Sequence, residues 1–195
     1  MSDRWLVVGL GNPEAEYGGT RHNIGADVVR LLAARNRQSF GRNKRIRCEE
    51  AQIRVGDQRL TLVLPESYMN NLGGPTQAAA AWIDAPADRI IAVHDELDLE
   101  LGSLRVKLGG SSSHNGVRDI VRAMGTPDVL RVRVGIGRPP GRMPGKDFVL
   151  RRFTSSEQTE KDIIVQEAAD AVELLVTQGV EPTQNRYHAR QKDLP

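Results

Sequence analysis

The chain has 195 residues, of which 39% are apolar, and apolar runs occur along its whole length. This composition predicts a globular protein with a single domain over 1–195 and excludes an intrinsically disordered chain. No apolar run approaches the roughly 18 residues that span a bilayer, and no signal-peptide pattern is present, so a cytoplasmic protein with no membrane partner is expected. The formal net charge is only +2, so an anionic partner would have to be recognised by local clusters of cations.

The first third of the chain predicts a strand, a helix and a hairpin. Residues 5–8 form a continuous apolar run that is typical of a buried strand. Apolar side chains then recur at helical spacing over 24–34, and the basic segment 35–47 is predicted to be a connection. Two further apolar segments, 46–55 and 60–64, are separated by a Gly-Asp turn signal and predict a hairpin.

The rest of the chain alternates helices with strands. The predicted elements are a helix over 76–83, strands over 90–93 and 104–107, a helix over 117–124, a strand over 129–136 and a long helix that ends at Gly179. The segment 138–145 is predicted to be a surface loop, and the tail after Pro182 is polar. This order predicts a three-layer α/β/α fold, whose central sheet is mixed because of the hairpin and otherwise mostly parallel.

Polar loops follow three of the predicted strands. They contain Asn12, Asn70 and Asp95. Ligands of open α/β sheets bind beyond the carboxyl ends of parallel strands, so these loops are expected to converge on one crevice if their strands are parallel neighbours.

His22 is a candidate general base, because a neutral imidazole accepts protons near neutral pH. Asp95 is the candidate carboxylate that would orient it, since the alternation of side chains along a strand turns Asp95 away from the face occupied by His94. A hydrogen bond at a helix start would be the alternative role for His22. The chain has no Gly-x-Ser-x-Gly motif and its four histidines are scattered, so neither a serine nucleophile nor a metal site is expected.

Two glycine-rich segments raise the question of phosphate binding. The segment Gly9-Leu10-Gly11 follows a strand as in dinucleotide-binding proteins, but Glu14 occupies the position of the third glycine and disfavours a nucleotide cofactor. Residues 109–116 are the stronger candidate, because a flexible turn there leads into a helix start and follows Arg105 and Lys107. An ordinary strand-to-helix connection is the alternative.

Several short motifs together resemble the bacterial peptidyl-tRNA hydrolase family. They are Gly9-Leu10-Gly11-Asn12-Pro13, Thr20-Arg21-His22-Asn23 with Gly25, Tyr68-Met69-Asn70, His94-Asp95-Glu96-Leu97-Asp98, Gly109-Gly110-Ser111, His114-Asn115-Gly116 and Gly135-Ile136-Gly137-Arg138-Pro139. Each motif is weak by itself, whereas the ordered set covers nearly the whole chain. The loop before His114 is one residue shorter than is usual in the family.

The resemblance implies a cofactor-independent esterase that releases the peptide from peptidyl-tRNA, with His22 activating water, Asp95 orienting His22 and Asn12 sensing the peptide backbone. It implies contacts to the acceptor end from Tyr17, Tyr68, Asn70, His114 and Asn115. It implies a surface for the tRNA phosphates formed by Arg105, Lys107 and Arg133. The protein is expected to be a monomer without a metal, and a non-catalytic RNA-binding relative of the same fold is the alternative.

Overall fold

The structure, a computed structural model, describes residues 3–188 and contains a seven-stranded sheet flanked by helices. The strands are β1 (Arg4–Gly9), β2 (Gly41–Asn43), β3 (Cys48–Val55), β4 (Gln58–Pro65), β5 (Ile90–Glu96), β6 (Leu104–Leu108) and β7 (Leu130–Gly135). The helices are α1 (Glu14–Tyr17), α2 (Ile24–Arg35), α3 (Gly73–Ile83), α4 (Asn115–Met124), α5 (Gly145–Phe148), α6 (Gln158–Gln178) and α7 (Val180–His188).

The sheet is mixed, as its sequence predicts. Its strand order is β2-β3-β4-β1-β5-β7-β6. The four central strands, from β4 to β7, run parallel to one another, whereas β2, β3 and β6 are joined by antiparallel pairings. The carboxyl ends of β1, β4 and β5 therefore lie side by side, which brings the three polar loops to the same edge of the sheet.

Each face of the sheet has its own hydrophobic core. Val7 and Val93 point into one core, which α2 and α6 cover. Val8 and Ala92 point into the other, which α3 and α4 cover. Alternate residues of a strand face opposite sides of its sheet, and here both sides are covered, so the central strands are continuous apolar runs. The three-layer α/β/α fold is confirmed.

Helix α2 packs directly on the backbone of β5, and Gly25 makes this approach possible. A Cβ atom at Gly25 would lie 2.0 Å from the carbonyl oxygen of Val93. Even an alanine would therefore push α2 away from the sheet. The close contact positions the turn that carries His22, because this turn leads directly into α2.

Four of these elements were not predicted, including the four-residue helices α1 and α5. The three-residue strand β2 lies in the basic segment that was expected to be a connection. Helix α7 lies in the polar tail and covers the edge strand β6, where the Val106 carbonyl accepts a hydrogen bond from Gln184 and the Val106 amide donates one to His188 Nε2. The residues after His188 lie outside the described part of the chain. Among residues 3–188, no helix has the length and apolar character needed to cross a membrane.

Candidate active site

A cavity of about 390 Å³ lies where the polar loops converge. Its walls include eight of the residues predicted for the site, namely Asn12, Tyr17, His22, Tyr68, Asn70, Asp95, His114 and Asn115. A larger cavity of about 590 Å³ is lined by Arg4, Trp82 and other residues, and it contains none of these side chains. The smaller cavity is therefore the candidate site, because titratable and amide groups converge in it.

His22 stands in a short 3-10 turn, Arg21–Asn23, that is anchored from a distant part of the chain. Its backbone amide donates a hydrogen bond of 2.8 Å to the Val149 carbonyl, and its ring Nδ1 lies 2.8 Å from Asp95 Oδ2. The carboxylate accepts the Nδ1 proton and thereby leaves a lone pair on Nε2. This is the tautomer that a general base requires.

Arg21 ties the turn of His22 to the segment that forms the opposite wall. Its buried guanidinium donates to the carbonyls of Arg151 and Arg152 and forms an ion pair with Glu157 at 2.6 Å. The same group lies 4.3 Å from the centre of the Phe148 ring. The sequence motif contains Arg21 without indicating this role, because its partners are about 130 residues away in the chain.

Asp95 receives hydrogen bonds from two imidazoles. His22 binds Oδ2, while His114 Nε2 lies 2.7 Å from Oδ1. Burial by itself would raise the pKa of the Asp95 carboxyl, but the facing His22 and His114 outweigh burial and hold this pKa well below its ordinary value. Asp95 is therefore a carboxylate at neutral pH, although it is only 3% exposed.

The tautomer of His114 is determined by helix α4. His114 is the N-cap of this helix, and its Nδ1 accepts hydrogen bonds from the backbone amides of Gly116 at 3.1 Å and Val117 at 3.4 Å. An imidazole nitrogen that accepts hydrogen bonds carries no proton, so the proton of His114 is on Nε2 and is donated to Asp95. The shorter loop before His114 thus still brings this side chain to the site.

The ligand atoms of His22, Asp95 and His114 lie within 4.8 Å of one another, which would allow them to surround a metal ion. The individual distances favour hydrogen bonds instead. Two ligands of one tetrahedral zinc ion stand roughly 3.3 Å apart when each bond is about 2.0–2.1 Å long. The two nitrogen–oxygen distances here are 2.8 and 2.7 Å, and each nitrogen faces its own carboxylate oxygen.

His94 lies behind the site and is buried. Its Nδ1 donates a hydrogen bond of 2.8 Å to the Asp95 carbonyl, and its buried Nε2 has no hydrogen-bond partner within residues 3–188. Burial, and then the neighbouring His114, lower the pKa of His94 from 6.5 to about 3. His94 therefore packs as a neutral ring and is not a candidate base.

We expect His94 to make the fold sensitive to acid. The pKa of His94 is lower in the folded than in the unfolded protein, so its contribution to stability is complete above pH 6.5 and is lost as the pH falls towards 3. His94→Asn keeps a donor near the position of Nδ1 but does not titrate. Between pH 7 and pH 5, the free energy of unfolding measured with urea should fall by about 1–2 kcal/mol less in the variant than in the wild type. Equal losses would contradict this assignment.

Asn12 presents to the cavity an amide donor that has no hydrogen-bond partner within residues 3–188. Its Oδ1 accepts a hydrogen bond of 2.8 Å from the Met69 amide, and this contact orients Nδ2 as the remaining group. The buried side chain of Asn23 bonds to both the N–H and the C=O of Asn12, each at 2.9 Å. A Cβ at Gly11 would lie 3.0 Å from Asn23 Cγ, so the glycine leaves room for this clamp.

Two tyrosines form the rim of the cavity. The rings of Tyr17 and Tyr68 meet edge to face, with their centres 6.3 Å apart. Tyr68 is 50% exposed, and the facing Glu16 carboxylate raises the pKa of its hydroxyl. Asn70 and Asn115 are also exposed at this rim. Aromatic faces and amide groups of this kind can stack on nucleobases and bind their edges.

The three predicted phosphate-binding cations lie on the paired strands β6 and β7, outside the residues that line the cavity. Arg105 is directly opposite Arg133 in the ladder. Arg133 also contacts Glu96 Oε1 through Nε at 3.0 Å and through Nη2 at 2.8 Å. Burial, and then Arg133 and Arg131, lower the pKa of Lys107. Of these three cations, only Arg133 forms an ion pair with another of the described residues.

Sequence reasoning missed the apolar wall of the cavity, which consists of Met69, Leu97, Val149 and Leu150. It also missed Lys146, which contributes a cation. Val149, Leu150 and Lys146 come from the segment around α5, which has no recognisable motif. Their participation depends on the hydrogen bonds that attach this segment to the turn of His22.

The chain is similar to known proteins of one family over nearly its whole length. The family model described as peptidyl-tRNA hydrolase matches residues 6–194. The peptidyl-tRNA hydrolase of Frankia casuarinae is 52% identical over 95% of this chain and 94% of its own, and that of Mycobacterium tuberculosis is 49% identical over 97% and 100%. A crystal structure of peptidyl-tRNA hydrolase from Acinetobacter baumannii superposes with a TM-score of 0.89 at 34% identity, covering 97% of this chain and 96% of that one.

Proposed function

Because the chain belongs to the peptidyl-tRNA hydrolase family, whose substrate is peptidyl-tRNA, we propose that His22 and Asp95 carry out the hydrolysis of the ester between peptide and tRNA. The observation that supports this most directly is the contact of 2.8 Å between His22 Nδ1 and Asp95 Oδ2. It leaves His22 Nε2 as a proton acceptor within a cavity that is large enough for water and the reacting ester.

In the proposed reaction, Nε2 of His22 takes a proton from water, and the water oxygen attacks the ester carbonyl carbon. The Asp95 carboxylate stabilises the imidazolium that forms. The tetrahedral intermediate then collapses, and His22 returns the proton to the departing ribose oxygen. The products are a tRNA with a free terminal hydroxyl and a peptide carboxylic acid, which releases its remaining proton to solvent at neutral pH. No bond in this sequence requires a cofactor.

Asn12 is proposed to bind the peptide backbone and to favour substrates whose amino end is blocked. Its oriented Nδ2 would donate to a carbonyl oxygen of the peptide, an interaction that becomes stronger as negative charge develops. Asn70, Asn115 and the two rim tyrosines are proposed to hold the terminal nucleotides. His114 lines the same cavity, but both of its ring nitrogens already have protein partners, so its contact with substrate would be made by the ring face.

The phosphates of the tRNA are proposed to lie across Arg105, Lys107 and Arg133. The first two face solvent in part and come from the edge strand β6. A phosphate near Arg133 would have to compete with Glu96 for the guanidinium. Arg105 and Lys107 are therefore expected to make the larger contributions to binding.

We expect Arg105→Ala and Lys107→Ala each to reduce the salt dependence of tRNA binding. Every lost phosphate contact should lower the slope of log affinity against log salt by roughly 0.7–0.9. Fluorescence anisotropy with labelled tRNA between 50 and 200 mM salt, a range over which such slopes are measured, would determine the slope. Arg54→Ala is a matched control, because it removes an exposed arginine from the distant strand β3. Equal slopes for Arg54→Ala and Arg105→Ala would contradict the proposed surface.

Release of an N-blocked aminoacyl group from tRNA tests the catalytic proposal. The wild type should release this aminoacyl group. The variant His22→Ala should bind the same charged tRNA but release the aminoacyl group far more slowly. A non-catalytic RNA-binding relative would bind tRNA without release in both forms. Against that alternative stands the paired and oriented His22, because RNA binding does not require an imidazole with a free Nε2.

A further inference from the structure

Helix α4 is connected to the proposed base through His114 and Asp95. The amides of Gly116 and Val117, at the start of this helix, donate to His114 Nδ1, and His114 Nε2 in turn contacts Asp95 Oδ1. His114 therefore connects a helix end to the carboxylate that holds the proposed base. Its side chain is 8% exposed, so solvent competes little for either contact.

We propose that His114 is a positioning residue, which α4 holds as the neutral Nε2–H tautomer so that it binds one oxygen of Asp95 and leaves the other for His22. A protonated His114 would place an N–H against the N–H groups of Gly116 and Val117, so the helix start disfavours that form. In this tautomer His114 donates from Nε2 to Asp95. It fixes the direction of the Asp95 carboxylate and withdraws part of its negative charge from His22.

The hydrogen bond from His114 to Asp95 also affects the proposed base, His22. If Asp95 lost the hydrogen bond from His114, its full charge would act on His22 and favour the imidazolium. Less of the neutral base would then be available near neutral pH. The other charged or titratable groups near these rings are the cavity-lining Tyr17, Tyr68, Glu96 and Lys146, together with Arg133 and His94. Arg133 is paired with Glu96, and the ring centre of His94 lies 4.8 Å from that of His114. None of them changes in the experiment.

Two variants separate the two contacts of His114. In His114→Asn, the side-chain oxygen can take the place of Nδ1 and continue to cap α4, but nothing reaches Asp95. In His114→Gln, the amide nitrogen can take the place of Nε2 and donate to Asp95, but the cap is lost. The loss of an N-cap should lower Tm by about 2–4 °C in a protein of this size.

For His114→Asn we expect the acidic limb of the pH dependence of kcat/KM to move upward by roughly half to one unit, while the N-cap of α4 is kept. For His114→Gln we expect the acidic limb to stay at its wild-type position and Tm to fall. An NMR titration of the His22 ring, without substrate, should show the same upward shift in His114→Asn alone. If the pKa of His22 in His114→Asn equals that of the wild type, the inference is wrong.

This inference rests on the proposed roles of His22 and Asp95, but the two can fail separately. A normal rate of release by His22→Ala would contradict the proposed reaction. An inactive His22→Ala together with an unshifted pH limb in His114→Asn would contradict only the role of His114. A rate that falls equally at every pH in His114→Asn would show that His114 acts through the fold and would also overturn the inference.

Discussion

Replacing His22 by alanine is expected to lower kcat for release of an N-blocked aminoacyl group by roughly 10²- to 10⁴-fold, which is the usual contribution of a positioned general base. The variant removes the only imidazole nitrogen that both lines the cavity and has no hydrogen-bond partner within residues 3–188. His94 cannot replace it, since its ring is buried and its pKa is lowered to about 3. Single-turnover kinetics with excess enzyme would measure the loss directly.

His22→Asn is the matched control for this experiment. Its amide nitrogen can donate to Asp95 in place of Nδ1, so it keeps the contact to Asp95 while the base at Nε2 is lost. We therefore expect His22→Asn to be as slow as His22→Ala and to have a Tm closer to that of the wild type. Activity of His22→Asn near the wild-type level would show that water is activated by another group.

Much of the fold is predictable from the sequence, because the central strands are buried on both faces and their helices are amphipathic. The apolar run before Asn12 and the helical spacing after Ile24 each correspond to an observed element. Strand β2 could not be found in this way, since its three residues are polar and gain their order from pairing with β3. Helix α7 could not be predicted, because it contains Pro182 and is mostly polar. Its order depends on tertiary contacts with β6 that no local pattern encodes.

The candidate site was predictable where side chains follow strand ends. Side chains alternate along β5, so Asp95 and His94 point to opposite faces of the sheet. This alternation alone allowed Asp95 to be chosen as the partner of His22. The sequence does not indicate the direction of individual hydrogen bonds. The contact of His114 with Asp95 joins residues 19 positions apart, and the tautomer that makes it possible depends on the backbone amides of α4. Such information exists only in the folded chain.

Replacing Asp95 by asparagine is expected to reduce kcat nearly as much as removing His22, by about 10³- to 10⁴-fold. An asparagine has one acceptor oxygen and one NH₂ group, so it can accept from only one of the two imidazoles. His114 must donate from Nε2, because α4 occupies its Nδ1. The oxygen of the asparagine will therefore face His114, and its NH₂ group will face Nδ1 of His22. His22 must then carry its proton on Nε2, where it cannot accept one from water.

This orientation predicts that a second substitution will partly restore the activity of Asp95→Asn. In Asp95→Asn/His114→Asn the donor that holds the asparagine oxygen is absent, so the amide can turn and accept the Nδ1 proton of His22. We expect the double variant to be about tenfold faster than Asp95→Asn, a difference of about 1.4 kcal/mol in activation free energy, to which any loss caused by His114→Asn alone is added to give the coupling free energy. His114→Asn in the wild-type background gives the reference rate for the cycle. Additive effects of the two substitutions would mean that His114 does not determine which way residue 95 faces.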